Sequence, residues 1–384
     1  MEKPTEMKIL IVGAGIGGLS LGSFLQKRGF TFKIIEKQKD FSHHGFALGM
    51  WQNGFKMLEK LGLKDFFEKN KYTYDSIEFF HLQKKVRSLS LHSFNKFGGY
   101  SHIKRKDLID QLSACVPKEK IVFDMTISHL INKENKVIVS FSNGKQEVFD
   151  LVVGADGINS AIREDYIKPF KRNFINWRSW YVWISSAHLS PNKISKFFDK
   201  NLYVVIFYEK DRSLAVIVAH QNHTVWDNEE SRKDHLKQIL KDENIVFEMI
   251  EKEPQKEIVP TDLSEVNLNT CSKGRIVLIG DSFHGFLPFA GLGGSMALED
   301  AYLLAESLHL LQDPDKAICI YEKLRKPRIQ KARQLTNFIR LFLLQRTNFS
   351  SFLISKLICF LPEYLFVRAF KKFMNTNISY DQRN

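Results

Sequence analysis

Short apolar runs alternate with amphipathic stretches along most of this chain. Lys8-Ile9-Leu10-Ile11-Val12 is apolar at successive positions, the pattern of a central parallel strand covered on both faces. Residues 19–28 have a helical pattern closed by Gly29, and residues 32–35 form the next strand, ending at Glu36. The same logic returns late in the chain. Residues 275–279 read as a buried strand stopped by Gly280-Asp281. A Gly- and Pro-rich loop follows at 285–294, then a helix with Ser295 as its N-cap and an apolar face from Met296 to Leu311. Residues 53–61, closed by Gly62, and residues 315–339 are further helices, and Arg105, Leu108 and Leu112 mark another.

Between these units the rhythm changes. Strand-like runs at 76–81 and 86–91 break the strand–helix alternation and point to a sheet from another domain. Residues 121–125, 136–141 and 147–153 read as strands, with Asn143-Gly144 as a hairpin turn. Residues 173–220 are long strands rich in aromatics (Trp177, Trp180, Tyr181, Trp183, Tyr203, Phe207, Tyr208), with the run from Glu209 to Arg212 as a turn. Residues 231–253 are helical and charged on one face. The expected fold is α/β. A Rossmann-like domain spans 1–72, 99–170 and 270–334. An inserted mixed β-sheet substrate domain spans 73–98 and 171–269. A C-terminal helical tail covers 335–384.

The tail carries two apolar stripes. Leu335, Phe338, Ile339, Phe342 and Leu343 form the first. Phe366, Ala369, Phe370 and Phe373 form the second, opposite Arg368, Lys371 and Lys372, with Pro362 between the two stripes. Lys356 and Glu363 interrupt the run, which excludes a standard membrane span. Docking over the domains is the first reading of this tail; a membrane-surface helix and a dimer contact are the others.

Composition narrows the function. At 384 residues and 44% hydrophobic the chain is globular and long enough for two cores. The net charge of +13 is scattered over the sequence without a nucleic-acid motif, so it suits solubility and anionic cofactors. The four cysteines are far apart and no metal-ligand spacing exists; His43-His44 reads as a solvated loop pair. No signal peptide precedes the first strand, and reduced thiols suit the cytoplasm. A monomer is expected.

Gly13-Ala14-Gly15-Ile16-Gly17-Gly18 gives G-x-G-x-x-G between a strand and a helix, with the acid Glu36 at the end of the next strand. This is a dinucleotide fingerprint. Gly13 makes the tight turn, Gly15 admits a diphosphate, Gly18 packs helix on strand, and Glu36 accepts from ribose hydroxyls. Ala14, Ile16 and Lys37 join them as cofactor-binding candidates. Asp281 can accept from polyol hydroxyls, and the loop amides with the helix dipole that follows can hold an anion.

Three motifs together carry a resemblance: the glycine fingerprint; Gly154-Ala155-Asp156-Gly157-Ile158-Asn159-Ser160-Ala161-Ile162-Arg163; and Gly280-Asp281-Ser282-Phe283-His284 with Pro288-Phe289-Ala290-Gly291 and Gly293-Gly294. They resemble group A, single-component FAD-dependent aromatic monooxygenases, and the extended tail is most similar to the tetracycline destructases. The resemblance implies FAD, with NADPH or NADH as a transient reductant. It implies Asp281 at the ribityl chain and Pro288, Gly291, Gly293 and Gly294 beside the flavin ring. Arg105 would reach the cofactor, and Asp156 and Arg163 would support the diphosphate region and nicotinamide access. Phe46, Phe207 and Phe289 become candidate substrate contacts. The implied reaction uses O2 and a flavin C4a-hydroperoxide to hydroxylate a bulky phenolic or polycyclic substrate, tetracyclines among them. The chemistry is flavin-borne, so no catalytic side chain and no metal are assigned. Kynurenine- or phenol-type hydroxylation is the alternative, as is a flavin reductase or dehydrogenase without oxygen transfer. One departure concerns the flavin loop: Gly291-Leu292-Gly293-Gly294-Ser295 stands where many relatives have G-Q-G-x-N, which leaves flavin contacts to the backbone.

Overall fold

The computed structural model describes residues 5–41, 45–92, 99–185, 192–209, 212–221, 229–240, 245–360, 362–365 and 368. The expectations for His43-His44, for Lys210 and Asp211 of the turn, and for Phe366, Ala369, Phe370 and Phe373 lie outside the described residues.

β1 (Thr5–Val12), α1 (Ile16–Lys27) and β2 (Phe30–Ile35) form the opening unit, with β1 and β2 parallel from Ile9↔Phe32 to Val12↔Ile35. Ile9, Leu10 and Ile11 are all closed to solvent, which accounts for the unbroken apolar run. β3 (Ala47–Trp51), α2 (Gln52–Leu61), α3 (Lys64–Asn70) and β4 (Tyr72–Thr73) follow. Next come the hairpin β5 (Ser76–His81) and β6 (Lys84–Ser90), then β7 (Tyr100–Lys104), α4 (Arg105–Ala114) and the two-residue β8 (Ile121–Val122).

β9 (Ile127–Lys133), β10 (Lys136–Phe141) and β11 (Gln146–Phe149) make a small antiparallel sheet, and β12 (Leu151–Gly154) returns beside β1. The single strand expected over 147–153 is therefore two strands in two sheets. The break is Asp150, whose carboxylate accepts from the Lys8 amide (2.8 Å) and from Lys136 Nζ (2.6 Å) and so fixes a corner that hydropathy does not register. α5 (Ala161–Tyr166) then leads into the large sheet: β13 (Phe170–Ser185), β14 (Lys193–Asp199), β15 (Leu202–Phe207) and β16 (Arg212–His220). α6 (Arg232–Leu240), α7 (Ile245–Glu251) and β17 (Val259–Leu268) close it. β18 (Ser272–Lys273), β19 (Ile276–Leu278), α8 (Asp281–His284), α9 (Gly293–Leu311), α10 (Pro314–Leu343) and α11 (Asn348–Phe360) complete the chain.

The nucleotide-type sheet has the order β18-β19-β12-β1-β2-β8, parallel except for β18. The second large sheet, β17-β13-β16-β15-β14-β5-β6, is mixed, and β3-β7-β4 forms a small sheet of its own. Residues of the large sheet alternate between two cores. Trp180, Val182, Val204, Ile206 and Ile217 pack under α6 and α7, while Trp177, Tyr203, Val205, Val216 and Val218 belong to the core shared with the nucleotide-type sheet. The candidate site lies on that second face. α11 packs on β5, β6 and β14, where Arg87 Nη1 donates to the Ile358 carbonyl (2.7 Å); before the helix, the Gln345 carbonyl accepts from the Asn201 amide (2.7 Å) in the turn after β14. Its outer face keeps Phe349, Phe352, Leu353 and Phe360 exposed. Among the described residues no helix is long and apolar enough to cross a membrane.

Candidate functional site

The glycine fingerprint folds as strand, turn and helix. Gly13 has φ +106°, and a Cβ there would lie 2.5 Å from the Ala155 carbonyl oxygen. A Cβ on Gly18 would lie 1.9 Å from the Gly13 carbonyl oxygen, so this glycine sets how closely α1 sits on the turn. Gly15 differs: a Cβ there would meet nothing within 4 Å. It is the N-cap of α1, no side chain caps the amides that follow it, and no acid stands in the first turn, where Ile16 is buried. Open space at uncapped amides fits a diphosphate. Glu36 stands across the turn. Its carboxylate accepts from the Ala14 amide (2.8 Å) and from the Gln38 amide (3.0 Å), which fixes it at the end of β2. Lys37 follows it, exposed.

Arg105 begins α4, and its amide donates to the Phe46 carbonyl (2.8 Å). Burial lowers the guanidinium pKa, opposed by the fields of Asp281 and Glu36, so Arg105 feels both carboxylates. Burial raises Asp281, opposed by His284 and Arg105. Asp281 is nevertheless reached by solvent, the condition of a side chain lining a deep cleft. A Cβ on Gly293 would stand 3.6 Å from its Oδ1.

Pro288 opens a single 3-10 turn that ends at Gly291, φ +62°. Gly293 and Gly294 are the first residues of α9, so the N-cap is Leu292, not Ser295. Ser295 lies inside the helix because its hydroxyl has another partner: it accepts from the Trp51 amide (3.0 Å). Trp51 Nε1 donates to the Ala290 carbonyl (2.8 Å), which ties β3 to the flavin-type loop. Tyr100 fills the space that both Gly49 and Gly291 leave; a Cβ on either would come within 2.5 Å or 2.8 Å of its hydroxyl.

Asp156 takes a structural part. Its carboxylate accepts from Ser282 Oγ (3.1 Å) and from the Ile162 amide (3.2 Å), joining the turn after β12 to α8. Arg163 is fully buried and donates to the Ser282 and Ile158 carbonyls (3.1 and 2.7 Å). These bonds spend its guanidinium on main-chain carbonyls and so shape the turn.

The three candidate phenylalanines meet one face of the large sheet. Phe46 stacks on Tyr181 (5.4 Å between centroids), Phe289 sets its ring at an angle to Tyr203 (6.4 Å), and Phe207 packs on His102 (4.0 Å). Between Phe207 and the glycine loop runs a chain of polar side chains that the sequence did not disclose. Tyr100 OH bonds His102 Nε2 (2.7 Å) and Tyr74 OH bonds His102 Nδ1 (3.0 Å). Desolvation and, secondarily, Lys196 pull the His102 pKa down to about 3, so the ring is neutral and one tyrosine donates to it while the other accepts.

A second undisclosed feature lies beneath the loop. Glu299, Asp300, His284, Arg325 and Asn53 are buried together where α9 meets α10, α2 and α8. Asp300 accepts from the Gly280 amide and His284 Nε2 (both 2.7 Å) and from Arg325 Nε. Glu299 accepts from Arg325 Nη1 (2.6 Å), Arg328 Nη2 (2.8 Å) and Asn53 Nδ2 (2.6 Å). Burial pushes the Asp300 carboxyl up, but Arg325 and His284 outweigh it and hold it below the usual range. This clasp fixes the turn that carries Asp281. Its signal in the sequence is two adjacent acids inside an apolar helix with arginines downstream.

The model of the FAD binding domain family matches residues 6–336. Among curated relatives, a flavin-dependent monooxygenase from an unknown prokaryotic organism is 26% identical over 346 residues, covering 85% of this chain and 88% of the relative. Klebsiella pneumoniae HpxO, solved with FAD and uric acid, has a TM-score of 0.89 at 19% identity over 97% of both chains. The tetracycline destructase Tet(55) has a TM-score of 0.78 at 22% identity over 98% of both chains. At these identities the two solved structures establish the shared fold.

Proposed function

The chain belongs to the FAD binding domain family of flavin-dependent monooxygenases, and from that membership we propose that it uses NADPH or NADH with O2 to hydroxylate a bulky phenolic or polycyclic compound, tetracyclines being the first class to test. The observation that carries the site is that Glu36 bonds the turn at 13–18, Asp281 stands beside Gly293, and Arg105 feels both carboxylates, the three residues coming from the ends of three different strands. Glu36 would take the adenosine ribose, the open amides at Gly15 the diphosphate, and Asp281 the ribityl hydroxyls. Bound FAD supplies the redox and oxygen-transfer chemistry. The chain's own part is to bind, to orient and to exclude water. The uncapped amides at Gly293 and Gly294 direct positive potential toward the ring site. Trp51 and Tyr100 hold the loop in place from β3 and β7. Phe46, Phe207 and Phe289 give the substrate an aromatic, water-poor surface.

The test is direct. Purified protein should carry one FAD per chain and couple NADPH oxidation and oxygen uptake to a product heavier by one oxygen atom, screened over tetracyclines and simple phenols. Reductant consumed without an oxygenated product from any of them would make the chain a reductase instead.

A further inference from the structure

Two ionisable side chains on the site face of the large sheet have no hydrogen-bond or ion-pair partner among the described residues. Giving them a ligand rests on the reading of this face as the aromatic substrate site. Tyr203, Val205 and Phe207 face it, while Val204, Ile206 and Tyr208 face the core under α6 and α7. The Tyr208 amide still donates to the Lys193 carbonyl (3.1 Å), so the alternation continues past the end of β15 and puts Glu209 on the side of Phe207. Electrostatics agree with that parity: Glu209 acts on Tyr74 and Lys104, both beside the β3-β7-β4 sheet. Glu209 is 3% exposed and neither carboxylate oxygen is hydrogen-bonded. Desolvation brings the Glu209 pKa up to about 7. The nearby Lys104, whose ammonium lies over the Tyr72 ring (5.8 Å to the centroid), opposes that rise but makes no ion pair with Glu209.

Lys196 lies on the same face, between Ile194 and Phe198 on β14 and opposite Val205 on β15. Desolvation brings its ammonium down to about 8. Val205 and Glu209 are four residues apart, roughly 13 Å along an extended chain, with Phe207 midway. The two charges are therefore too far apart to pair with each other.

We propose that this cleft takes an amphoteric aromatic substrate whose planar body covers Phe207, with an acidic oxygen at Lys196 and a basic nitrogen at Glu209. A buried charge without a partner costs stability, and a ligand that brings the opposite charge replaces the lost water with charge-assisted hydrogen bonds. The Glu299–Asp300 clasp, by contrast, bonds its buried carboxylates within the chain. Groups left open beside three aromatic rings are thus suited to a ligand. The two poles set both the class of substrate and its direction across the cleft.

The experiment uses the FAD-loaded full chain and three bicyclic probes in calorimetric titration. These are 6-(aminomethyl)-2-naphthoic acid, which carries both charges, 2-naphthoic acid, and 2-naphthylmethylamine. The two-charge probe should bind on the order of tenfold tighter than either single-charge probe. Glu209→Gln should reduce it to the level of the acid and leave the acid unchanged. Lys196→Met should reduce it to the level of the amine and leave the amine unchanged. Both variants should keep FAD and unfold at or above the parent temperature, since each removes a charge without a partner; a marked drop would assign these groups a structural role and overturn the proposal. If all three probes bind alike, the aromatic pocket stands and the two-pole assignment is wrong. If none binds, the pocket reading itself falls, and the two-pole assignment with it.

Discussion

Two regions of this molecule bury charge, and they treat it in opposite ways. Beneath the flavin-type loop, Glu299, Asp300, Arg325, Arg328 and His284 bond one another, the Gly280 amide and Asn53. On the site face, Glu209 and Lys196 are buried or half-buried with no such partner among the described residues. Burying a charge is costly in both places, but only the clasp recovers the cost within the chain. A satisfied network fixes one geometry, here the turn that presents Asp281. An unsatisfied group leaves binding free energy for a ligand that arrives later. Gly15 is the backbone counterpart of the second kind, with open space in front of uncapped amides.

If that contrast is right, closing an open site should cost binding and not folding, and breaking the clasp should cost folding. Gly15→Val gives the largest effect: FAD retention is lost, while the apoprotein unfolds as the parent does, because nothing stands within 4 Å of the new Cβ. A variant that still purifies yellow would contradict the diphosphate site. Arg325→Met should remove about 3–5 kcal/mol of stability, since it leaves Asp300 and Glu299 short of a buried cation. Denaturant unfolding measures this, and a loss below about 1 kcal/mol would show that the remaining arginine and amides suffice.

Asp281→Ala should come next. It removes a charged acceptor from the cleft and weakens FAD by on the order of 1.5–3 kcal/mol with little effect on the apoprotein. Fluorescence titration of apoprotein with FAD reads it, and unchanged affinity would make this carboxylate structural. Glu209→Gln is the smallest and most diagnostic. The folded pKa of Glu209, about 7, lies above its ordinary 4.5, so between those values the folded chain holds a proton that the unfolded chain has released. The stability contribution of Glu209 therefore falls as pH rises through that window and levels off above it. The glutamine variant lacks this loss. Its melting temperature should gain on the parent between pH 4.5 and 7, and parallel curves would mean that Glu209 finds a partner in solution.

Much of the glycine-turn region was legible because its constraints are local. Gly13 needs φ +106°, and Gly18 must approach the Gly13 carbonyl, so the sequence there has little freedom. An unbroken apolar run marks β1 as covered on both faces. The α/β class, the dinucleotide turn, the acid at Glu36 and the loop leading to Gly293 and Gly294 all follow from short stretches of chain. Tertiary structure decided what depends on residues far apart. Hydropathy reads 147–153 as one strand, and only the distant bonds from Lys8 and Lys136 to Asp150 divide it between two sheets. Ser295 reads as a helix cap until the Trp51 amide, distant in sequence, takes its hydroxyl. A histidine such as His102 carries no mark of its two tyrosine neighbours. Nor can a sequence say which buried charges are paired, because pairing depends on which faces of separate elements come to lie within a few ångströms of each other. The chain's local pattern sets where a dinucleotide can lie. The packing of sheet against sheet sets which buried charges find a partner.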